Sequence, residues 1–195
     1  MKLYCFLLYS VLLLIVTGCS HYTVNQQGYI RPPQHYKFPY SKKAGQLLNT
    51  QIIDTTCVYV LQNSNYYRHT DEYKNDNNYI RFYADGRFKQ QGFKTAFTIE
   101  QVNDNNSGIV GFYLLKGNVV KLQFYTDLNA GSDQLKFGIV DDGGNLILLH
   151  ENPRTDFGLG YSEKGIRKKI SNSYFNPKVY KKVKQEGLTY TKPDW

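Results

Sequence analysis

Nucleophilic, acid–base or metal chemistry in this chain would have to draw on three cysteines and four histidines, set among carboxylates that cluster little. His21 and His35 lie in a stretch rich in Gln, Tyr and Pro. His69 has Asp71 and Glu72 beside it, donors that suit a hard cation, but the surrounding run of Asn and Tyr supplies no ligand at helical spacing, so a solvated loop is expected there. His150-Glu151 follows an apolar run and would act as acid or base only with a nucleophile brought near by the fold. Gly158-Leu159-Gly160 lacks the third glycine and the Lys-Ser or Lys-Thr pair of a phosphate loop, and is expected to be a connection. No Gly-x-Ser-x-Gly or His-Glu-x-x-His occurs and no paired-carboxylate motif stands out, so no catalytic residue, metal ligand or cofactor is expected.

The cysteines are more informative. Lys2 precedes a run of 14 mostly apolar residues, Leu3 to Val16, which suits the core of a signal peptide and falls short of the roughly 20 residues of a spanning helix. The run closes on Val16-Thr17-Gly18-Cys19, which resembles the bacterial lipobox: an aliphatic residue, two small residues and the cysteine that carries lipid after cleavage. Residues 1–18 are therefore expected to be a lipoprotein signal peptide, with diacylglycerol and an amide-linked acyl chain such as palmitate on Cys19. Two or more chains anchor stably where one binds marginally, at about 0.8 kcal/mol per buried CH2. Ser20, where enteric inner-membrane lipoproteins carry aspartate, points to the outer membrane. Cys5 leaves with the signal, so the mature protein retains no cysteine pair for an internal disulfide. Cys57, in the apolar run Cys57-Val58-Tyr59-Val60-Leu61, is expected to be a buried, inert thiol.

The elements that must position any site begin after residue 50. Residues 19–50, with Pro32, Pro33 and Pro39 and no sustained periodicity, are expected to be the lipidated cysteine and a flexible tether. Thirty such residues would span about 30 Å as a coil and about 100 Å when pulled straight. Residues 51–195 are expected to form one domain, large enough to bury a core without metal or disulfide. Its period is two. Ile80, Phe82 and Ala84 alternate with Arg81, which is expected to face water, and Asp85-Gly86 supplies a hairpin turn before Arg87-Phe88-Lys89 returns. Gly108 to Leu115, Lys116-Gly117-Asn118 and Val119 to Thr126 repeat the unit, with Val120, Leu122 and Phe124 on one face and Lys121 and Gln123 on the other. A third hairpin places Leu135, Phe137 and Ile139 opposite Lys136 and Gly138, breaks at Asp141 to Gly144 and returns through Asn145 to His150. Residues 176–187 carry both a helix-like cap and stop and a strand-like alternation of Val179, Lys181 and Val183; a strand fits the rest. The fold expected is all-β, an antiparallel meander forming a lipocalin-like barrel, a half-open barrel or a sandwich. Eighteen tyrosines and eleven phenylalanines suit its pleated surfaces, and would also suit an aromatic-lined sugar or lipid site.

Positive charge collects at one end of the sequence. The net charge is +8, and residues 161–195 carry nine Lys and Arg against three Asp and Glu. In an exported protein such a segment meets lipid headgroups and polysaccharide rather than nucleic acid, so Arg167, Lys168, Lys169, Lys181, Lys182 and Lys184 are the expected contacts with an anionic surface, unless they form only a solvated face.

The stretch Asn78-Tyr79-Ile80-Arg81-Phe82-Tyr83-Ala84-Asp85-Gly86-Arg87-Phe88, with Gly111-Phe112-Tyr113 and Lys116-Gly117-Asn118-Val119-Val120 after it, resembles small lipocalin-like lipoproteins of Gram-negative bacteria. Members pair a strand-Asp-Gly-strand hairpin with a later Gly-x-Tyr and a Gly-Asn hairpin. The resemblance spans residues 51–150 and implies a β-barrel at the cell envelope. The Gly-x-Trp of true lipocalins near the first strand has no counterpart, Trp195 being the single tryptophan. Two functions follow as expectations: a non-enzymatic module that binds an envelope protein, a polysaccharide or an apolar molecule while anchored through Cys19, or an envelope hydrolase whose site is assembled from residues distant in sequence. The absence of a motif favours the first.

Overall fold

The computed structural model describes residues 22–44, 52–62, 77–149, 162–171 and 177–192. Among them, β3 (Cys57–Leu61), β4 (Asn78–Phe82), β5 (Arg87–Gly92), β6 (Ile109–Lys116), β7 (Val119–Thr126), β8 (Ser132–Val140), β9 (Leu146–Leu148) and β10 (Lys178–Lys184) form a closed antiparallel barrel. Neighbours follow sequence order, and β10 closes the ring by pairing Lys178 with Leu148 and Tyr180 with Leu61. The turn residues explain the tight connections. Gly86 (φ +84°) and Gly117 (φ +56°) take the left-handed backbone that turns β4 into β5 and β6 into β7. Residues 141–145 join β8 to β9 in the same way. These three turns lie at one end of the barrel, the turn end. At the opposite, rim end the longer connections 93–108 and 127–131 join β5 to β6 and β7 to β8.

Eight strands leave an interior that side chains can fill. Tyr59, Ile80, Phe82, Phe88, Tyr113, Leu122 and Phe124 lead the inner cluster, and Ile53 closes the turn end beneath Tyr59, whose hydroxyl accepts from the Asp54 amide at 3.0 Å. The buried set expected from alternation, Ile80, Phe82, Phe88, Val120, Leu122 and Phe124, is buried. Cys57 is buried as well, its thiol donating to Asp54 at 3.2 Å. Burial and the neighbouring Asp54 push that thiol up, away from a reactive thiolate.

The outer wall differs from expectation because it is covered. A β-ribbon of β1 (Thr23–Val24) and β2 (Ile30–Arg31), followed by helix α1 (Ser41–Ala44), straps across β6 and β7. The stretch expected to be a free tether is thus docked from Tyr22 to Ala44. Composition suggested coil, but its aromatics supply contacts that need no period: Tyr36 meets Tyr125 at 4.9 Å and Phe38 meets Phe112 at 5.2 Å between ring centroids. Helix α2 (Ile99–Asn103), held by a reciprocal Thr98 and Gln101 capping box, roofs β4 and β5. Helix α3 (Glu163–Ile170), capped by Ser162, packs Ile166 and Ile170 on β8.

These covers bury polar side chains of the outer face, among them Arg81, which was expected to face water. Arg81 does lie on the outer face, but under α2 it is buried; its guanidinium donates to the Val102 carbonyl at 3.0 Å, to Asn103 Oδ1 at 2.9 Å and to the Thr189 carbonyl. Lys89 is equally enclosed, its ammonium donating to the carbonyls of Gln101 (2.7 Å), Val102 (3.1 Å) and Asp104 (2.6 Å). Burial drives that amine down to about 7, while carbonyls at the C-terminal end of α2 favour its charged form. Gln123 is buried under the strap, accepting from the Tyr40 amide at 2.9 Å. On β8 it is Leu135, Phe137 and Ile139 that point outward, against α3, while Lys136 and Gly138 line the interior. Residues 178–184 form the strand that alternation favoured.

Candidate functional site

The inner wall changes character toward the rim end. Register fixes which side chains reach it: Lys136 lies opposite Leu122, Gln134 opposite Phe124, Gln90 opposite Ile80 and Lys178 opposite Leu148, all partners of inward residues. Asn78 and Tyr180 complete a polar ring above the aromatic floor of Phe88 and Phe124, whose centroids are 6.5 Å apart. Gln90 Nε2 donates to Asn78 Oδ1 at 3.0 Å and to the Tyr180 hydroxyl at 3.3 Å, which holds that side of the ring.

Lys136 is the exception in this ring. Its ammonium stands 4.9 Å from the Phe124 centroid and has, among the described residues, no carboxylate or other oxygen acceptor. Desolvation, with the Lys178 charge second, lowers the amine to about 8. Among the described residues, the half-buried ammonium of Lys136 thus stands over the apolar floor of Phe124 without a neutralising carboxylate. A carboxylate, sulfate or phosphate head with an apolar body fits that pairing, the head neutralising Lys136 and the body stacking on Phe124.

Two other clefts carry less. A groove of about 450 Å³ between strap and barrel is lined by Arg31, Tyr36, Lys37, Phe38, Arg87 and Phe112, but its two arginines are already engaged: Arg31 donates to the Gly108 and Asn106 carbonyls, and Arg87 pairs with Asp85. A cleft of about 400 Å³ at the turn end gathers Asp54, Asp141 and Asp142 around Lys182, and among the described residues no trio of His, Cys, Asp or Glu could hold a metal.

The residues singled out from sequence are dispersed. Arg167, Lys168 and Lys169 ride on α3, and Arg167 is engaged by Glu163 at 3.0 Å and by Asn118. On β10 the pairings Lys181↔Val60 and Lys182↔Tyr59 send consecutive lysines to opposite faces, and Lys184 ends the strand beside Cys57. The basic segment thus runs along the barrel instead of forming one patch. Cys19, His21, His69 with Asp71 and Glu72, His150 with Glu151, Gly158 to Gly160 and Trp195 lie outside the described residues. Lys136 was not singled out, because alternation on β8 separates two faces without saying which lies inside. The signal that could have found it is the apolar face of α3, Ile166 and Ile170, which needs a partner and finds Leu135, Phe137 and Ile139. Comparison with known proteins finds no matching family model, no similar curated protein and no similar solved structure.

Proposed function

We propose that the protein is an exported lipoprotein, anchored to the envelope of a Gram-negative bacterium, at its outer membrane, through lipid on Cys19, and that its barrel mouth is a non-enzymatic binding site for an amphiphile with an anionic head. The uncompensated Lys136 over Phe124 carries the ligand half of this reading. The motif Val16-Thr17-Gly18-Cys19 carries the anchor half. The dispersed cations of α3 and β10 add a diffuse attraction to anionic envelope polymers, without a defined contact.

Each half has its own test. Cys19→Ser should abolish lipid attachment and leave the chain unprocessed or soluble; unchanged processing and membrane partition would end the anchor reading. For the mouth, a soluble form of the mature chain is titrated with anilinonaphthalene sulfonate, an anionic apolar fluorophore. Lys136→Met should weaken binding about tenfold, or 1.4 kcal/mol. Affinity should also fall as pH rises past about 8, where the amine of Lys136 loses its proton, with the fall displaced upward by the bound anion. Equal affinity in parent and variant at pH 7 would remove Lys136 from the site.

A further inference from the structure

Docking of the strap changes what an anchor at Cys19 does to the barrel. The strap starts at the rim end: Asn25 and Arg31 donate to the carbonyl of Asn106, Arg31 also to that of Gly108, just before β6, and Tyr22 joins the cluster containing Tyr125 near the end of β7. It finishes at the turn end, where Ala44 abuts Gly86. Cys19 precedes Tyr22 by three residues, a reach of at most about 11 Å however the chain runs. The strand β7, eight residues long, spans about 26 Å, so the turn end lies well beyond that reach.

The same sector of the rim exposes apolar side chains. Val24 on β1 is 56% exposed, Leu128 in the β7–β8 connection 57% and Ile109 at the start of β6 38%. Ile109 and Leu128 lie at the rim ends of β6 and β7, the strands under the strap, and Val24 precedes Asn25, which is tied to Asn106 just before β6, so all three lie in the sector from which the chain leaves toward Cys19. Elsewhere the described surface exposes only Val179, Val183 and Tyr190 among large apolar residues.

We infer that the rim formed by Val24, Ile109 and Leu128 rests on the bilayer that holds the Cys19 lipid, so that the barrel mouth opens toward that membrane's surface. This orientation rests on the lipoprotein reading above. It places Lys136 where an amphiphile leaving or joining the leaflet would pass, and it leaves the turn end facing away.

The test uses the full lipidated chain in phosphatidylcholine vesicles, with Trp195→Phe as background and one tryptophan placed at Leu128→Trp or at Lys116→Trp, an exposed site at the turn end. Brominated lipid should quench the Leu128→Trp emission about twofold or more, as expected for a ring within the outer 5–10 Å of the interface, and leave Lys116→Trp unchanged. Equal quenching of the two, or none at Leu128→Trp, overturns the orientation. Mass spectrometry of the N-terminal peptide from the same sample separates the two failures: an unlipidated Cys19 ends the anchor reading and this inference with it, whereas a lipidated chain with unquenched Leu128→Trp ends the orientation alone.

Discussion

Gly111→Ala should lower the free energy of unfolding by about 3 kcal/mol, at the upper end of what overpacking costs. Gly111 sits on the inner wall between Phe88 on β5 and Phe124 on β7, its register partners on either side. A Cβ there would meet the Gln123 carbonyl oxygen well inside van der Waals contact and the Phe88 ring at 2.8 Å. The carbonyl belongs to the β-ladder and cannot swing away, so relief requires β6 to move off β7. A methyl group gives back less than 1 kcal/mol of burial. Gly28→Ala is the control, since its Cβ would touch nothing within 4 Å and would meet only the cost of a positive φ, roughly 1–2 kcal/mol. Urea midpoints of the two variants check this; equal losses would mean that Gly111 is not required for close packing.

Gly111 also shows how much of the barrel was legible. In the Gly111-Phe112-Tyr113 motif, one of those that carry the family resemblance, each residue has a physical reason. Glycine makes room for two rings, Phe112 faces out to meet Phe38 of the strap, and the Tyr113 hydroxyl donates to the Tyr83 carbonyl at 2.9 Å, tying β6 to the β4–β5 turn. The hairpins were legible because turn chemistry and alternation are local. What covers each face was not, since a strand's alternation records two environments without saying which lies inside. On β4 and β7 the larger apolar set was the inner one. On β8 the outer face is also apolar because α3 lies on it, so the alternation Gln134-Leu135-Lys136-Phe137-Gly138-Ile139 does not say which face lies inside. The strap was hidden for a related reason: its contacts come from Tyr22, Tyr36, Phe38 and Tyr40, spaced by turns rather than by a regular period.

The candidate site was illegible for the same reason. A lysine between Leu135 and Phe137 looks like a solvent residue on an amphipathic strand. Only the closed ring, with β8 held between β7 and β9, turns it inward. Its isolation from carboxylates marks it off from Lys89 and Arg81, whose carbonyl partners make them part of the scaffold. Lys136→Met should therefore leave stability unchanged or slightly raised, because it removes a half-desolvated charge without orphaning an acceptor.

Phe82→Ala should produce the largest loss of stability of any single truncation proposed for this protein, about 3–5 kcal/mol. Phe82 is fully enclosed, and its ring contacts Tyr59 at 5.3 Å, Tyr113 at 4.9 Å and Phe88 at 6.2 Å between centroids. Those three rings come from β3, β6 and β5, so with β4 the cavity left by alanine would open where four neighbouring strands of the barrel are joined from within. Collapse into it is limited, since Tyr113 is held by its bond to Tyr83 and Tyr59 by the Asp54 amide. Phe82→Leu, which keeps most of the volume, should cost about 1–2 kcal/mol. The difference between the two variants in urea denaturation measures the cavity rather than the loss of aromatic contact. If Phe82→Ala proves no worse than Phe82→Leu, the interior relaxes around the missing ring, and the barrel is not the close-packed cylinder described above.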